Sequence, residues 1–175
     1  DDVLIIGGLG YDTVIAGNGV VLDMGQSSVE KVIGSNCVDT IFGSDGNDLV
    51  YSGGGADYIS TGPGDDEIHL QNTEITDDMV TKIKGGDGYD KLFVDSVLSA
   101  ALDLNIGSFE EYHGSDGDDQ VIVGLTSVFI DGRGGINTLN YANSNAGVTV
   151  NLETNTVSGG FAEGSTIRNF HNLIG

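Results

Sequence analysis

The sequence predicts an all-β solenoid in which short strands stack in coils of about 18 residues. Two observations predict this fold class. A unit of nine residues recurs along the chain with the same residue types at fixed positions, and 29 of the 175 residues are glycine. Glycine adopts the positive φ angles of tight turns without steric cost, and hydrophobic residues, at 38% of the chain, suffice for a core. Two units would therefore form one coil, with a turn at each edge.

Three positions define the repeated unit. The fourth residue is glycine in seven of the eight copies, the sixth is aspartate in seven, and the eighth is a large aliphatic residue in all eight. The copies occupy residues 7–15, four consecutive units at 34–69, and residues 85–93, 114–122 and 132–140. Their sixth positions are Asp12, Asp39, Asp48, Asp57, Asp66, Asp90, Asp119 and Asn137. Agreement of three columns in one phase indicates a true repeat rather than an accident of composition.

Each unit is expected to form a turn followed by a very short strand. Side chains alternate along a strand, so the aliphatic residue at position eight faces one side alone. A strand of three residues is unstable by itself, but it can pair with copies in the coils above and below. With two units per coil, Asp39 would lie over Asp57, and Asp48 over Asp66. Looser spacer segments between the units would lead the chain into the next glycine-rich turn.

The stacked aspartates predict bound metal ions. The chain has 27 acidic and 6 basic residues, a net charge of −21, and no lysine or arginine lies within residues 34–69. Carboxylates that are brought together in a column repel one another unless a cation lies between them. The available ligands are carboxylate and main-chain carbonyl oxygens, which favour calcium over zinc or copper. Flexible coordination also favours calcium over magnesium, so we expect several calcium ions between the loops.

Charge and motifs argue against several other functions. The negative charge argues against nucleic-acid binding, which requires basic residues at the phosphates, and against docking on an anionic membrane surface. No stretch reaches the roughly 18 apolar residues of a membrane-spanning helix. An EF-hand starting at Asp45 would need a glutamate eleven residues later, where the chain has Ala56. The glycine clusters lack the third glycine and the following helix of a dinucleotide-binding fingerprint.

The sequence predicts no catalytic residue. His69, His113 and His171 are isolated from one another, and His69 lies in the outward phase of its strand. A Gly-x-Ser-x-Gly motif is absent from the sequence. Cys37 lacks an activating base and is expected to be a packed structural thiol. We therefore expect that this segment is not an enzyme.

With these features, the unit GGxGxDxUx resembles the repeat-in-toxin (RTX), haemolysin-type calcium-binding family. Residues 146–152, with the sequence AGVTVNL, also resemble spacers of that family. The resemblance implies a right-handed parallel β-roll, with calcium bound between loops that are two units apart. It implies further that the lower loop supplies the carbonyls of positions one and three and the upper loop those of positions two and four. Both loops would also supply their position-six aspartates.

Carried over to this chain, the resemblance implies two calcium sites, and our own inference adds a third. The first would combine Gly34, Asn36 and Asp39 with Gly53, Gly55 and Asp57. The second would combine Gly43, Asp45 and Asp48 with Gly62, Gly64 and Asp66. The third would combine Thr61, Pro63 and Asp66 with Gly86, Gly88 and Asp90. The third site assumes that residues 70–84 are a lengthened loop plus a replacement strand from Met79 to Ile83.

The other units depart from the pattern. Asp12 and Asp119 are further metal-ligand candidates, but the sequence shows no obvious neighbour for them two units away. Cys37 replaces glycine at position four, which predicts strain in that turn. Arg133 and Asn137 in the last unit predict that this unit binds no ion.

The resemblance implies a calcium-dependent structural module of a secreted bacterial protein. At low cytosolic calcium the acidic chain would be disordered, and calcium outside the cell would drive folding. This behaviour suits type I secretion of an unfolded chain to the medium or the cell surface. Two alternatives stay open: a segment of a surface adhesin or surface-layer protein that self-associates through calcium, and the C-terminal module of a secreted protease, lipase or polysaccharide epimerase, which could bind an acidic polysaccharide. We interpret residues 1–175 as one solenoid segment, cut from a longer array at both ends.

Overall fold

The computed structural model describes residues 5–71, 82–96, 101–125 and 127–175. The described residues form 18 short strands, two single helical turns and one 3-10 turn. The strands are β1 (Thr13–Ile15), β2 (Val21–Asp23), β3 (Lys31–Ile33), β4 (Thr40–Phe42), β5 (Leu49–Tyr51), β6 (Tyr58–Pro63), β7 (Glu67–Gln71), β8 (Ile83–Asp87), β9 (Lys91–Asp95), β10 (Ala101–Asp103), β11 (Glu111–His113), β12 (Gln120–Ile122), β13 (Phe129–Asp131), β14 (Thr138–Asn140), β15 (Thr149–Asn151), β16 (Thr156–Ser158), β17 (Thr166–Arg168) and β18 (Asn172–Ile174). The helical turns are α1 (Met24–Ser27) and α2 (Leu104–Gly107), and the 3-10 turn is Gly160–Ala162.

The chain alternates between two faces of a solenoid. One face is an eight-stranded parallel sheet in the order β1-β3-β5-β7-β9-β11-β13-β17. The other face consists of two four-stranded parallel sheets, β2-β4-β6-β8 and β10-β12-β14-β18. An antiparallel hairpin of β15 and β16 lies in the chain between β14 and β17. The predicted all-β architecture of stacked parallel strands is therefore confirmed.

The pairing register gives the length of each coil. Val32 pairs with Val50, and Val50 pairs with Ile68, so these coils have the predicted 18 residues. Ile68 then pairs with Leu92, 24 residues later, and Leu92 pairs with Tyr112, 20 residues later. The parallel pairing continues through these longer coils.

The insertion predicted at residues 70–84 is present as the 24-residue coil, but the strand bounds differ from the prediction. β8 begins at Ile83 and runs to Asp87, whereas the predicted strand ran from Met79 to Ile83. Residues 79–81 lie outside the described part of the chain. The strand extends into the loop because Gly86, where a Cβ atom would overlap the carbonyl oxygen of Gly62, lets two main chains approach closely, and Gly62 pairs with Gly86.

The aliphatic residues at position eight form the core between the two faces. Seven of them are at most 1% exposed: Ile41, Val50, Ile59, Ile68, Leu92, Val121 and Leu139. Val14, in the first unit, is partly buried and packs against the same core. Burial of each such side chain stabilises the fold by about 1.5–3 kcal/mol. The inward orientation of this column, predicted from strand alternation, is confirmed.

Two spacers replace a nonapeptide loop by the single helical turns α1 and α2. Asp23 and Asp103 cap the N-terminal ends of these turns, since each side chain accepts a main-chain N–H of the turn. Ser28 and Ser108 follow the turns in left-handed conformation, with φ of 52° and 55°. Each spacer thereby returns the chain to the eight-stranded face. Neither turn, nor any other described helix, has the length and apolar character needed to cross a membrane.

Candidate metal centre

The position-six aspartates of successive coils are direct neighbours. The main-chain N–H of Asp39 donates to Asp57 Oδ1 at 2.9 Å. The N–H of Asp48 donates in the same way to Asp66 Oδ1 at 2.8 Å. The N–H of Asp66 donates in turn to Asp90 Oδ1 at 3.0 Å. The structure therefore brings together the aspartate pair of each of the three predicted sites.

The first two predicted sets lie in loops that stack face to face. Loop 34–39 contacts loop 52–57, where the N–H of Gly54 donates to the carbonyl oxygen of Ser35 at 2.7 Å. Loop 43–48 contacts loop 61–66, where the N–H of Asp65 donates to Asn47 Oδ1 at 3.0 Å. An open depression of about 590 Å³, lined partly by Gly43, Asp45, Gly62 and Pro63, lies beside the second set. Solvent ions therefore have a path to the loops of the second set.

The third predicted set differs from the other two. Thr61, Pro63, Gly86 and their neighbours lie in the extended ends of β6 and β8, where Pro63 pairs with Asp87. A Cβ atom at Gly88, whose φ is +145°, would overlap the carbonyl oxygen of Gly64. Part of the main chain in this pair of loops is thus engaged in strand pairing, which leaves fewer carbonyl oxygens for a cation.

Three loops carry serine at position two, and this serine donates hydrogen bonds to the aspartate of the same loop. The serine N–H donates to Oδ2 of the aspartate in its own loop, at 2.8, 2.6 and 2.7 Å. The serine Oγ accepts the N–H of the residue at position four, at 3.0 Å in each loop. The serine–aspartate pairs are Ser35–Asp39, Ser44–Asp48 and Ser115–Asp119. Both carboxylate oxygens of these aspartates therefore accept a hydrogen bond.

Loops with glycine at position two leave an aspartate oxygen without a partner. Oδ2 is buried and has no hydrogen-bond partner among the described residues in four aspartates: Asp12, Asp57, Asp66 and Asp90. Asp57 and Asp90 are 1% and 0% exposed. Burial raises the pKa of Asp57 and of Asp90 to about 6, and it also raises the pKa of Asp66. A buried carboxylate oxygen without a partner is costly unless a cation or a proton compensates it.

The chemistry of this donor set fits calcium. Each pair of stacked loops offers two carboxylates and several main-chain carbonyls, which are the hard oxygen ligands that calcium prefers. Within the described part of the chain, no group of three or more His, Cys, Asp and Glu side chains could hold a metal ion. A metal in these loops would therefore depend on main-chain carbonyls as much as on carboxylates. This dependence matches the ligand sets that the family resemblance implies.

Asp12 and Asp119 do have neighbours in the next coil, contrary to the expectation from sequence. The N–H of Asp12 donates to Glu30 Oε2 at 2.8 Å, and the N–H of Asp119 donates to Asn137 Oδ1 at 2.9 Å. Glu110 receives the N–H of Asp90 in the same way at 2.9 Å. The two glutamates follow α1 and α2, so they belong to spacers rather than to nonapeptide units. The shared tripeptides Ser-Val-Glu at 28–30 and Ser-Phe-Glu at 108–110 are the sequence signal that could have identified them.

Cys37 differs from both expectations. Its side chain is exposed rather than packed. The φ angle of Cys37 is not positive, so cysteine at position four of this turn is not strained. The reason is the serine at position two, since the N–H of Cys37 donates to Ser35 Oγ at 3.0 Å and the turn closes without a left-handed residue.

Two histidines belong to a column of stacked rings on the outer side of the eight-stranded sheet. We call Tyr51, His69, Phe93 and His113 the ring ladder, in which successive ring centroids are 4.4, 4.6 and 4.4 Å apart. His69 also contacts Glu67 and Asp95, and His113 Nε2 lies 2.7 Å from Glu111 Oε1. These contacts give both histidines a structural setting on the outer face, in line with the predicted outward phase of His69.

Comparison with protein families gives a match over part of the chain. Residues 33–68 match the family model of the RTX calcium-binding nonapeptide repeat, in four copies. Searches of curated proteins and of solved structures find no significant match to the chain. The matched residues include most of the loops of the first two predicted sets. RTX repeats bind calcium, and no catalytic activity is attached to the repeat itself. Over residues 33–68 the chain is therefore similar to four consecutive RTX calcium-binding nonapeptide repeats.

Proposed function

We propose that the chain is a calcium-dependent structural module of a secreted protein, and that calcium binding between its stacked loops drives its folding. The observation that carries this proposal is the set of buried aspartate oxygens at residues 12, 57, 66 and 90 that have no hydrogen-bond partner within the described part of the chain. A fold that buries these carboxylates gains stability when a divalent cation lies beside them. Metal binding of this kind contributes directly to folding free energy.

The proposed ions lie between three pairs of loops. The first ion binds between loops 34–39 and 53–57, through Asp39, Asp57 and the main-chain carbonyls of the predicted set. The second binds between loops 43–48 and 62–66, and the third between loops 61–66 and 85–90. Strand pairing in the third pair makes it the weakest of the three. Asp12 with Glu30 is a further candidate, since Asp12 Oδ2 has no partner in the described part of the chain.

Electrostatics supports the same proposal. The residues that precede the strands of the eight-stranded face form a column of acids: Asp12, Glu30, Asp48, Asp66, Asp90 and Glu110. Adjacent strands are separated by about 4.8 Å. Two unit charges at about this distance repel by roughly 3 kcal/mol at an effective dielectric constant of 20. Without cations, this column opposes the stacking of the coils.

The proposal that residues 1–175 are a single solenoid unit rests on continuity of pairing. Parallel pairs connect β1 through β17 in one sheet, and one core cluster runs from Leu22 to Phe170. A module that folds only at the calcium concentrations found outside cells would remain unfolded during export. We therefore propose an extracellular or cell-surface location for the folded module.

Circular dichroism in calcium and in EGTA tests the proposal. We expect β-sheet signal in calcium, its loss in EGTA, and its recovery when calcium is added back. Magnesium at the same concentration is the control and should restore less signal, since its stricter octahedral geometry suits flexible oxygen ligands less well. An unchanged β-sheet spectrum in EGTA, with no calcium bound by calorimetric titration, would refute the proposal.

A further inference from the structure

The last nonapeptide unit differs from the others at position six, where Asn137 replaces aspartate. Asn137 Oδ1 accepts the N–H of Asp119 at 2.9 Å, as Asp57 Oδ1 accepts the N–H of Asp39. The Oδ1 atom of Asn137 therefore accepts the same hydrogen bond that an aspartate oxygen accepts in the other coils. The other half carries the amide nitrogen Nδ2 at the place of the second carboxylate oxygen. Asn137 is itself fully buried, at 0% exposure.

The amide nitrogen of Asn137 lies among three main-chain carbonyl oxygens. Nδ2 donates to the oxygens of Gly132, Gly134 and Asn169, at 2.8, 2.7 and 2.9 Å. Gly132 and Gly134 are positions one and three of the same loop. Asn169 lies two residues before His171, which meets Asn137 from the coil above, so Asn169 corresponds to position four of that coil. Its φ of 58° is positive, as at the position-four glycines Gly55 and Gly64.

These three carbonyls occupy positions that the family resemblance assigns to calcium: positions one and three of the lower loop and position four of the upper loop. In this coil they converge on a nitrogen that carries two N–H donors. A partial positive charge held by the protein thus lies where the family resemblance would place a cation in the other coils. The two N–H groups are shared among the three carbonyl oxygens, and no carboxylate oxygen is left over.

The acidic column of the eight-stranded face ends at this part of the solenoid, and so does the column of position-six aspartates at the opposite edge, to which Asp119 belongs. On the eight-stranded face, the residue that follows Glu110 in the column is Val128, which precedes β13. On the other edge, Asp119 is followed by Asn137 and then by His171. The described loops beyond Glu110 and Asp119 therefore add no further carboxylate to either column. The repulsion that requires cations elsewhere is absent from these turns.

We propose that the side-chain amide of Asn137 takes the place of a calcium ion, so that the C-terminal coil keeps its loop geometry without metal. The inference rests on the proposed calcium function of the other loops. It divides the solenoid into coils that depend on calcium, around residues 34–90, and a coil around residues 132–140 and 166–174 that does not. Residue 137 is the position that decides between the two behaviours.

The substitution Asn137→Asp tests this role directly. It keeps the size of the side chain and the acceptor at Oδ1, but it directs a carboxylate oxygen at three carbonyl oxygens. We expect calorimetric titration to find one more calcium ion per chain than in the unsubstituted protein. The matched control is Asn172→Asp, which adds the same charge on an exposed residue of the neighbouring strand β18 and should leave the number of ions unchanged.

Hydrogen exchange read by mass spectrometry locates the effect along the chain. As calcium is titrated down, amides of residues 132–140 should stay protected after those of residues 34–69 have lost protection. In Asn137→Asp, residues 132–140 should lose protection at the same calcium concentration as residues 34–69. Asn137→Ala serves if the aspartate variant does not fold: it removes the donor, so residues 132–137 should exchange faster in calcium and in EGTA alike, with no additional ion bound.

The outcomes separate the two proposals. If residues 132–140 and 34–69 lose protection together in the unsubstituted protein, or if Asn137→Asp binds no additional ion, the role of Asn137 is refuted while the calcium function stands. If exchange responds to calcium in no segment, the calcium function fails, and the role of Asn137 fails with it.

Discussion

Asp66 lies between two other loop aspartates, so the substitution Asp66→Asn affects two proposed calcium sites at once. Asp66 Oδ1 accepts the N–H of Asp48, and the N–H of Asp66 donates to Asp90 Oδ1. The residue is 1% exposed, and its Oδ2 has no hydrogen-bond partner among the described residues. Asparagine keeps the acceptor at Oδ1, removes the charge and places an N–H donor at the second position. We expect opposite effects on stability with and without calcium.

The expected magnitudes follow from linkage and from Coulomb's law. In calcium, an ion present at 100 times its dissociation constant stabilises the fold by about 2.7 kcal/mol. Loss of both ions would therefore lower the free energy of unfolding by about 5 kcal/mol. In EGTA, the substitution removes two neighbouring repulsions of roughly 3 kcal/mol each at an effective dielectric constant of 20. The variant should then retain more β-sheet signal than the unsubstituted protein.

The assay combines urea unfolding in calcium, followed by circular dichroism, with the β-sheet signal retained in EGTA. Calorimetric titration counts the ions, and we expect two fewer in the variant. Asp116→Asn is the matched control, because it makes the same change of charge at an exposed loop residue. Equal destabilisation of Asp66→Asn in both conditions would show that the aspartate is needed for packing alone. An unchanged number of ions would also contradict the reasoning.

Three further substitutions or conditions test other parts of the structure. The metal-free fold should become more stable as pH falls from about 7 to about 4, because burial raises three aspartate pKa values from 3.8 to about 6 and the folded state therefore binds protons more tightly than the unfolded state. The three aspartates are Asp48, Asp57 and Asp90, and the stability gained from their protonation should be lost as pH rises through about 6. A flat pH profile of the β-sheet signal in EGTA would contradict this prediction. Gly88→Ala should lower the urea midpoint strongly, since its Cβ would overlap the Gly64 carbonyl oxygen at a positive φ, whereas Gly17→Ala, with nothing within 4 Å of its Cβ among the described residues, should be nearly neutral. Ser115→Ala should lower the free energy of unfolding in calcium by about 1–3 kcal/mol, because Asp119 Oδ1 and the N–H of Gly117 lose their hydrogen bonds to the serine hydroxyl, and it should leave the number of bound calcium ions unchanged; loss of an ion would assign the serine to the metal site instead.

The parts of the fold that could be predicted from sequence are those with a local signal. Alternation along a three-residue strand places Ile41, Val50 and Ile68 in the core, and they are fully buried. The nine-residue period also predicts which aspartates meet, because two units make one coil. These features depend on residue types that recur at a fixed spacing.

The features that could not be predicted arise from contacts between coils of different sequence. Glu30 and Glu110 join the acidic column only because α1 and α2 lead the chain back to the start of the next strand of the eight-stranded sheet. The nonapeptide pattern does not describe those spacers. The tolerance of Cys37 depends on the hydroxyl of Ser35, which closes the turn in place of a left-handed glycine. The start of β8 at Ile83 likewise depends on pairing with β6 across an insertion rather than on its own sequence.

The ring ladder offers the repeats a way to recognise their proper neighbours. Near-identical units can associate out of order, since a coil skipped by mistake would still set aspartate against aspartate and aliphatic residues inside. The ladder is not periodic in this way: it joins Tyr51 to His69 and His69 to Phe93, and His69 also contacts Asp95. Skipping the coil of His69 would bring Tyr51 beside Phe93 and would abolish the contact between the histidine and Asp95. The outer face therefore penalises misassembly that the interior of the solenoid would tolerate.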